Sequence, residues 1–594
     1  MILQELTRFY NRLLDNPQVD ICEPGFSKEN ISFKIVLTEN GELFDKDRPI
    51  QDLRVTDGRN VRPVKITVPK FDGKRANGIK PYFLWDKTDY IIGMRKNTNT
   101  GQEERMPKHN KAFIELIDTI TSTTQKNHSA IQAVKTFCLK SSNIDLLKNS
   151  EYWDDFLNSF VVFSIYESEE DTVFGIKEVK NIWKEYYPLA PTGQKVKKGI
   201  CLVSGEITGI AQLHPTIKKG VGGKNDIPLI SCNFNAGESF NFEKNENAPI
   251  SASAASAIAG ALNYLLDNRS YNLTIADTRT LYWAETNDRF AEYFGQIMDP
   301  RKDEGRSADL EAFLHSVRRG KLPPELENSG RFFVLGLAPN AARISVRFWY
   351  VDDVEQIALH IGRHFADLQI VRQNEKRETA YPSAWQLLIE TAVQHKSDNI
   401  APNLAGPFLH SILSGGPYPS NLLALLISRL RAEQDTEKTR KLNYYRAAFI
   451  KAILNRNYKK ELAMSLDKNR NALPYLLGRL FALLEKIQED SAGGNLNATV
   501  KDRYFSSAST TPRTAFPVLL RLTQNHLKKL KSENPGLAVV REKELGEVME
   551  KLEAFPATLK LEDQGEFAIG YYHQRQDFFK KKEQPEALAD EAEV

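Results

Sequence analysis

The chain has 594 residues, with 80 Lys and Arg against 77 Asp and Glu, a net charge of +3. That length is too great for one core and implies roughly three or four domain-sized units. The near-balanced charge excludes a nucleic-acid footprint spread over the whole surface, so any such footprint must be local. Hydrophobic and charged contents of 41% and 26% are those of a globular protein. The cysteines Cys22, Cys138, Cys201 and Cys232 form no CxxC pair. They exclude a zinc ribbon or disulfide framework and point to a reducing, cytoplasmic setting.

The first segment, MILQELTRFYNRLL, is amphipathic. With Glu5 and Arg8 inside it, it does not read as a signal peptide. ISFKIVLTENGELFD places Asn40-Gly41 between two strand-like runs, a hairpin signal. VKITVPK and PYFLWDKTDYIIG continue the strand pattern, the latter with Tyr82–Trp85 and Tyr90–Ile92 as strand runs. NKAFIELIDTI and YWDDFLNSFVVF read as helical. Strand and glycine signals return in GICLVSGEITGIAQLHP and KKGVGGKNDIPLISCNFN. SASAASAIAGALNYLL reads as a helix whose Ala and Ser faces suit packing on a sheet. LTIADTRTLYWAE and ARISVRFWYV read as buried strands.

After Tyr381-Pro382 the pattern becomes helical. Leu422, Leu423, Leu425, Leu426 and Leu430 follow a Ser420-Asn421 cap signal. Leu476, Leu480, Leu483 and Leu484 recur at helical spacing. FPVLLRLTQNHLKKLKS carries Arg521, Gln524, Asn525, Lys528 and Lys529 on its polar side. EDSAGGNLNATVKDRYFSSASTTPRT reads as a loop, and EQPEALADEAEV as a solvated tail. No run approaches the roughly 18 apolar residues of a membrane span. The expected class is α+β: a mixed α/β region over 1–375, with a division near 245 into two subdomains, then a helical connecting region over 376–463 and a helical bundle over 464–594.

Between Arg62 and Lys96 nine cations face three acids, an excess of six in a chain whose total is +3. Within this island Lys74, Arg75, Asn77 and Lys80 crowd around Gly78. Cations neutralise phosphates without regard to sequence. An amide can donate and accept at a base edge, and glycine permits close backbone approach. The same residues also suit a solvated hairpin. A second cationic loop is Lys218-Lys219-Gly220-Val221-Gly222-Gly223-Lys224. It lacks the first glycine and the Ser or Thr of a phosphate-binding loop, so nucleotide hydrolysis is not expected. It is either a backbone-touching loop or a tight turn. His360 and His364 stand one helical turn apart, but Ile361 replaces the glutamate of the metalloprotease motif. His214 is expected to be a hydrogen-bonded structural histidine. No catalytic constellation, cofactor motif or metal site emerges.

Several of these segments resemble the large subunit of the subtype I-C CRISPR interference complex (Cascade). They are MILQELTRFYNRLL, GIKPYFLWDKTDYIIG, SGEITGIAQLHPTIKKGVGG, NAPISASAASAIAGALNYLL, FFVLGLAPNAARISVRFWY and YLLGRLFALLEKIQ. The resemblance implies a subunit that does not itself cut. It reads the protospacer-adjacent motif in duplex DNA, promotes duplex opening and helps recruit a separate helicase-nuclease. The implied partners are the target DNA and a crRNA ribonucleoprotein with backbone, crRNA-processing and small subunits. Base pairing then reads the long target while protein reads the short motif. Lys74, Arg75, Asn77, Gly78 and Lys80 match the lysine, amide and glycine that the family directs at the motif's minor groove. The glycine loop is alternatively Gly220 to Gly223, with Lys218, Lys219 and Lys224 on phosphates. There the chain departs from the family, with Asn225-Asp226-Ile227-Pro228 in place of a Gln-Ser-Ser-Gly-like continuation. The resemblance further implies that Arg521, Lys528 and Lys529 line a DNA strand, and that Met464 is an internal start giving the small subunit. Lys460-Glu461 can encode a purine-rich ribosome-binding tract before Met464; the competing reading makes Met464 a core filler. The competing function is a metal-dependent nuclease using His360 and His364.

Overall fold

The computed structural model describes residues 2–57, 60–70, 78–187, 197–217, 221, 227–232, 241–275, 278–286, 288–298, 308–326, 329–340, 343–375, 377–435, 441–493 and 499–579. The chain divides into two compact units, Met1–Asp267 with Ala341–Ile344, and Asn268–Asn340 with Ser345–Val594. The class is α+β, with strands confined to the part of the chain before Val354 and helices alone thereafter among the described residues.

In the first unit, helix Ile2–Leu14 buries Leu6, Phe9, Tyr10 and Leu13, a spacing that puts all four on one face. It packs on helix Ala252–Asp267, whose small residues are expected from the sequence to face a sheet. Gly260 is the contact point: a Cβ there would lie 2.4 Å from the Tyr10 ring, so the small residues serve helix–helix approach. The main sheet has the order Gln51–Asp52, Phe33–Leu37, Phe160–Ile165, Trp85–Lys87. Its central pair, Phe33–Leu37 and Phe160–Ile165, is parallel, and the two outer strands are antiparallel to it. A second ladder joins Phe26–Ile31 to Val64–Pro69. Phe33, Ile35, Val161, Val162 and Phe163 are fully buried, in one core cluster with residues of helices Pro107–Thr124 and Ser129–Leu139.

Two expected elements differ here. SFVVF is the central strand, not helix: Asn158 takes φ 71, which ends the short helix Trp153–Phe156, and the β-branched and aromatic run beyond it suits a two-sided strand. Tyr90 and Ile91 lie in the one-turn helix Thr88–Ile91, which follows strand Trp85–Lys87 directly. The Asn40-Gly41 turn forms, but its arms share an isolated bridge, Leu37 to Leu43, rather than a ladder.

The second unit begins with a four-stranded meander, Asn272–Ile275, Thr278–Ala284, Arg331–Asn340 and Arg343–Asp353, the last counted with this unit from Ser345. The last strand is an edge and is only partly buried, unlike its neighbour Arg331–Asn340. The remainder is helical. Asn421 offers no side-chain cap to helix Leu422–Ala432, whose stability therefore rests on its buried leucines. The polar stretch read as a loop contains the helix Val500–Thr510, capped reciprocally by Thr499 and Asp502. Helices Leu473–Ser491 and Leu561–Asp577 form the tightest pair of the unit, crossing at Gly478 and Gly570. A Cβ on Gly478 would sit 2.0 Å from the Phe567 carbonyl oxygen, and one on Gly570 2.3 Å from that of Tyr475.

Candidate nucleic-acid interface

Lys74, Arg75 and Asn77 lie outside the described residues, but both ends of their loop are fixed. On the incoming side the Trp85 indole donates to the Pro69 carbonyl at 2.9 Å, and the Lys70 amide donates to Gly25 O at 2.8 Å. On the outgoing side the Lys80 amide donates to the Tyr90 hydroxyl at 3.2 Å. Tyr90 is itself buried and stacked on His109 at 4.6 Å between centroids, and His109 Nδ1 meets Asp89 at 2.8 Å. Gly78 is exposed and takes φ 118, and a Cβ there would meet nothing within 4 Å. Only glycine adopts that backbone without strain, so the residue sets the path of the chain and leaves its surface open.

The strand that follows is braced by aromatics. Tyr82 stacks on Trp85 with centroids 4.4 Å apart, and Lys87 Nζ lies over Phe160 at 5.3 Å. Asp86 is fully buried and accepts the Tyr82 amide at 2.8 Å. Leu84 between them is buried with φ 61. A left-handed leucine costs on the order of 1–3 kcal/mol and persists only where the surroundings over-determine it. Sequence reasoning missed this brace; its one legible signal was the aromatic pair three residues apart.

Lys218, Lys219, Gly222, Gly223 and Lys224 also lie outside the described residues. Their loop is closed at its base by Ile217 and Ile227, which exchange backbone hydrogen bonds of 2.9 and 3.3 Å. Ile217 and Val221 are buried, so apolar anchors alternate in sequence with the cationic residues. His214 stands beside Ile217 with Pro215, Ala255 and Ile258. Its Nε2 is buried with no hydrogen-bond partner among the described residues, which corrects the expected hydrogen-bonded histidine at that atom. Burial pushes its pKa down to about 4, so it stays neutral.

The basic island is less uniformly free than its composition implies. Arg95 pairs with Glu104 at 2.6 Å and Lys96 with Asp154 at 2.7 Å. Hydrogen bonds from Asn97 and Arg95 hold the Glu104 carboxyl below the usual range. These pairs recruit acids from outside the 62–96 window, which counting within the window could not reveal.

A family model for CRISPR-associated protein (Cas_Csd1) matches residues 6–579. The chain belongs to the Cas_Csd1 family. The span agrees with the resemblance to the subtype I-C large subunit noted from the sequence segments. Comparison with curated proteins gives no match.

In this Cas_Csd1 protein, Arg521, Lys528 and Lys529 are exposed on helix Pro512–Glu533. Lys529 lies 3.7 Å from Glu533, whereas Arg521 and Lys528 make no ion pair among the described residues. Arg513 and Gln524, both exposed, share their helical face. Arg513 was missed in the sequence, where it lies two turns upstream of the recognised cluster. Met464 is 56% exposed and lies in the segment before helix Leu473–Ser491, its carbonyl accepting the Val371 amide at 2.8 Å. It fills no core.

His360 and His364 occupy helix Val354–Leu368 but each has its own partner. His360 Nδ1 lies 2.7 Å from the Leu413 carbonyl, and the buried His364 Nδ1 lies 2.6 Å from the Tyr418 hydroxyl. Burial, then Arg456, drives the His364 pKa well down. Among the described residues no group of three or more His, Cys, Asp or Glu is gathered as a metal ion would need. No helix among them is long and apolar enough to cross a membrane.

Proposed function

We propose that this Cas_Csd1 chain is the non-catalytic large subunit of a crRNA-guided DNA surveillance complex. It recognises the protospacer-adjacent motif in duplex DNA, promotes opening there and helps recruit a helicase-nuclease for antiviral defence. Its partners in this reading are the crRNA-bearing backbone, crRNA-processing and small subunits. The observation that carries the reading is the family match over residues 6–579. Two cationic, glycine-bearing loops whose bases are pinned by hydrogen bonds support it, because a reader of a short motif must present its side chains from fixed points.

The reading is tested with the assembled complex on motif-bearing and scrambled duplexes. Asn77→Ala should lower the preference for the motif by about tenfold while leaving most general binding, because an amide at a base edge specifies and a cation on phosphate does not. Lys218→Ala should weaken both duplexes alike and reduce the salt slope by about one. Equal losses on both duplexes for Asn77→Ala would remove Asn77 from the reading role.

We also propose that Met464 is an internal start yielding a separate small subunit. Its exposed position supports this, since a start codon imposes methionine without any packing need. Replacing Met464 with leucine should abolish a shorter C-terminal product on immunoblots of a C-terminally tagged gene and leave the full chain unchanged. Persistence of that product would reject the start.

A further inference from the structure

The parallel strands Phe33–Leu37 and Phe160–Ile165 run out into two loops that meet at one corner of the first unit. The Tyr166 amide donates to Leu37 O at 2.8 Å, and the Phe44 amide to Val36 O at 3.1 Å. The two rings stack with centroids 3.5 Å apart and planes 12° from parallel. Each residue is nevertheless 45% exposed, so the outer faces of the stack stay open to water. Leu139, 60% exposed, borders the same corner: the next residue, Lys140, reaches Glu42 at 3.6 Å. An exposed cluster of large apolar side chains, rather than one scattered ring, marks a contact surface.

The charge around it is opposite to that of the cationic loops. Residues 39–48 and 166–171 carry eight carboxylates against two cations, Lys46 and Arg48. All eight acids are exposed, and among the described residues only Glu42 is in an ion pair, with Lys140. Glu167, Glu169, Glu170 and Asp171 follow Tyr166 directly. Such a rim repels phosphate, so nucleic acid is the wrong ligand. Open aromatic faces beside unpaired carboxylates suit a planar cation, which stacks on a ring while its N–H groups are taken by the acids. A lysine ammonium gains less there, because it cannot stack and fork at once.

We infer that this corner docks an arginine-bearing basic segment of a partner protein. The test uses the full chain and the fluorescence anisotropy of a labelled oligo-arginine peptide, with an oligo-lysine peptide of equal length and duplex DNA alongside. Phe44→Ala with Tyr166→Ala should weaken oligo-arginine binding about tenfold, affect oligo-lysine less, and leave duplex DNA binding unchanged. Should that pair disturb folding, Glu169→Gln with Glu170→Gln, on an exposed loop, should weaken both peptides and leave the thermal midpoint in place. Oligo-arginine binding unaffected by either pair of changes overturns the inference. So does a loss confined to duplex DNA, which would make the corner a nucleic-acid contact.

Discussion

His573 sits where a proton cannot be accommodated. It is 1% exposed, its Nδ1 lies 3.0 Å from the Tyr475 hydroxyl, and its buried Nε2 has no hydrogen-bond partner among the described residues. Burial, helped by Lys451 and Arg470, pushes its pKa down to about 3. In the unfolded chain the imidazole takes up a proton near pH ~6.5, so between these values the unfolded state binds more protons. Stability therefore rises with pH across that window and falls as the solution is acidified. His573→Phe should reduce this acid sensitivity, read as a smaller drop in thermal midpoint between about pH 6.5 and pH 4.5. A drop equal to that of the parent chain would show that His573 is not the group responsible. Arg446 poses the converse case. Fully buried, it meets Glu433 at 2.9 Å and Glu390 at 3.2 Å. Arg446→Met leaves Glu390 with only His395 and Asn443 and takes from Glu433 its arginine partner, so it should cost about 3 kcal/mol in denaturant unfolding. Adding Glu390→Gln should recover part of that loss, because the two changes share one network.

Helices Leu473–Ser491 and Leu561–Asp577 meet backbone to backbone through Gly478 and Gly570. Gly478→Ala forces its new methyl against a carbonyl that cannot turn aside, so it should destabilise by about 1–3 kcal/mol or more. Gly546, near the end of helix Pro535–Met549, has nothing within 4 Å. Gly546→Ala should instead stabilise by about 0.4–1 kcal/mol by restricting the unfolded chain. Denaturation midpoints moving in the same direction for both would refute the crossing. Only half of this contact was legible in the sequence. YLLGRLFALLEKIQ shows its leucine spacing plainly, but its glycine looks like a defect until the second helix, some ninety positions away, is in place. The same reason explains SFVVF: its periodicity fits either state, and only its parallel pairing with Phe33–Leu37 decides for strand. The Val500–Thr510 helix hid behind Ser and Thr, which local propensity places in loops and which here are held by packing on helix Pro512–Glu533.

Across the molecule, class and order were readable from the switch in pattern after the last strands, and family from long ordered segments. The candidate interface was readable as residue types but not as a frame. Lys74, Asn77 and Lys218 are expectations from charge and amide chemistry alone and lie outside the described residues. Nothing in the sequence showed that Trp85 would hold Pro69, that Tyr90 would hold Lys80, or that Ile217 would bond to Ile227. These are pairings between distant or unremarkable positions. Trp85→Phe keeps the apolar bulk but removes the indole donor. It should therefore lower motif preference in the assembled complex by a smaller factor than Asn77→Ala, with a thermal midpoint close to that of the parent. A Trp85→Phe protein with full preference would mean that the Pro69 tether does not govern the loop.

The mutual hydrogen bonds of Ile217 and Ile227 make the intervening stretch an exchangeable cassette. Closing a loop on an existing staple costs little more as residues are added, about 0.6 kcal/mol per doubling. Insertions or swaps that keep the buried Val221 should leave the scaffold intact, so, if the loop touches DNA as proposed, a lineage pursued by changing invaders can retune that cassette without refolding the protein that carries it.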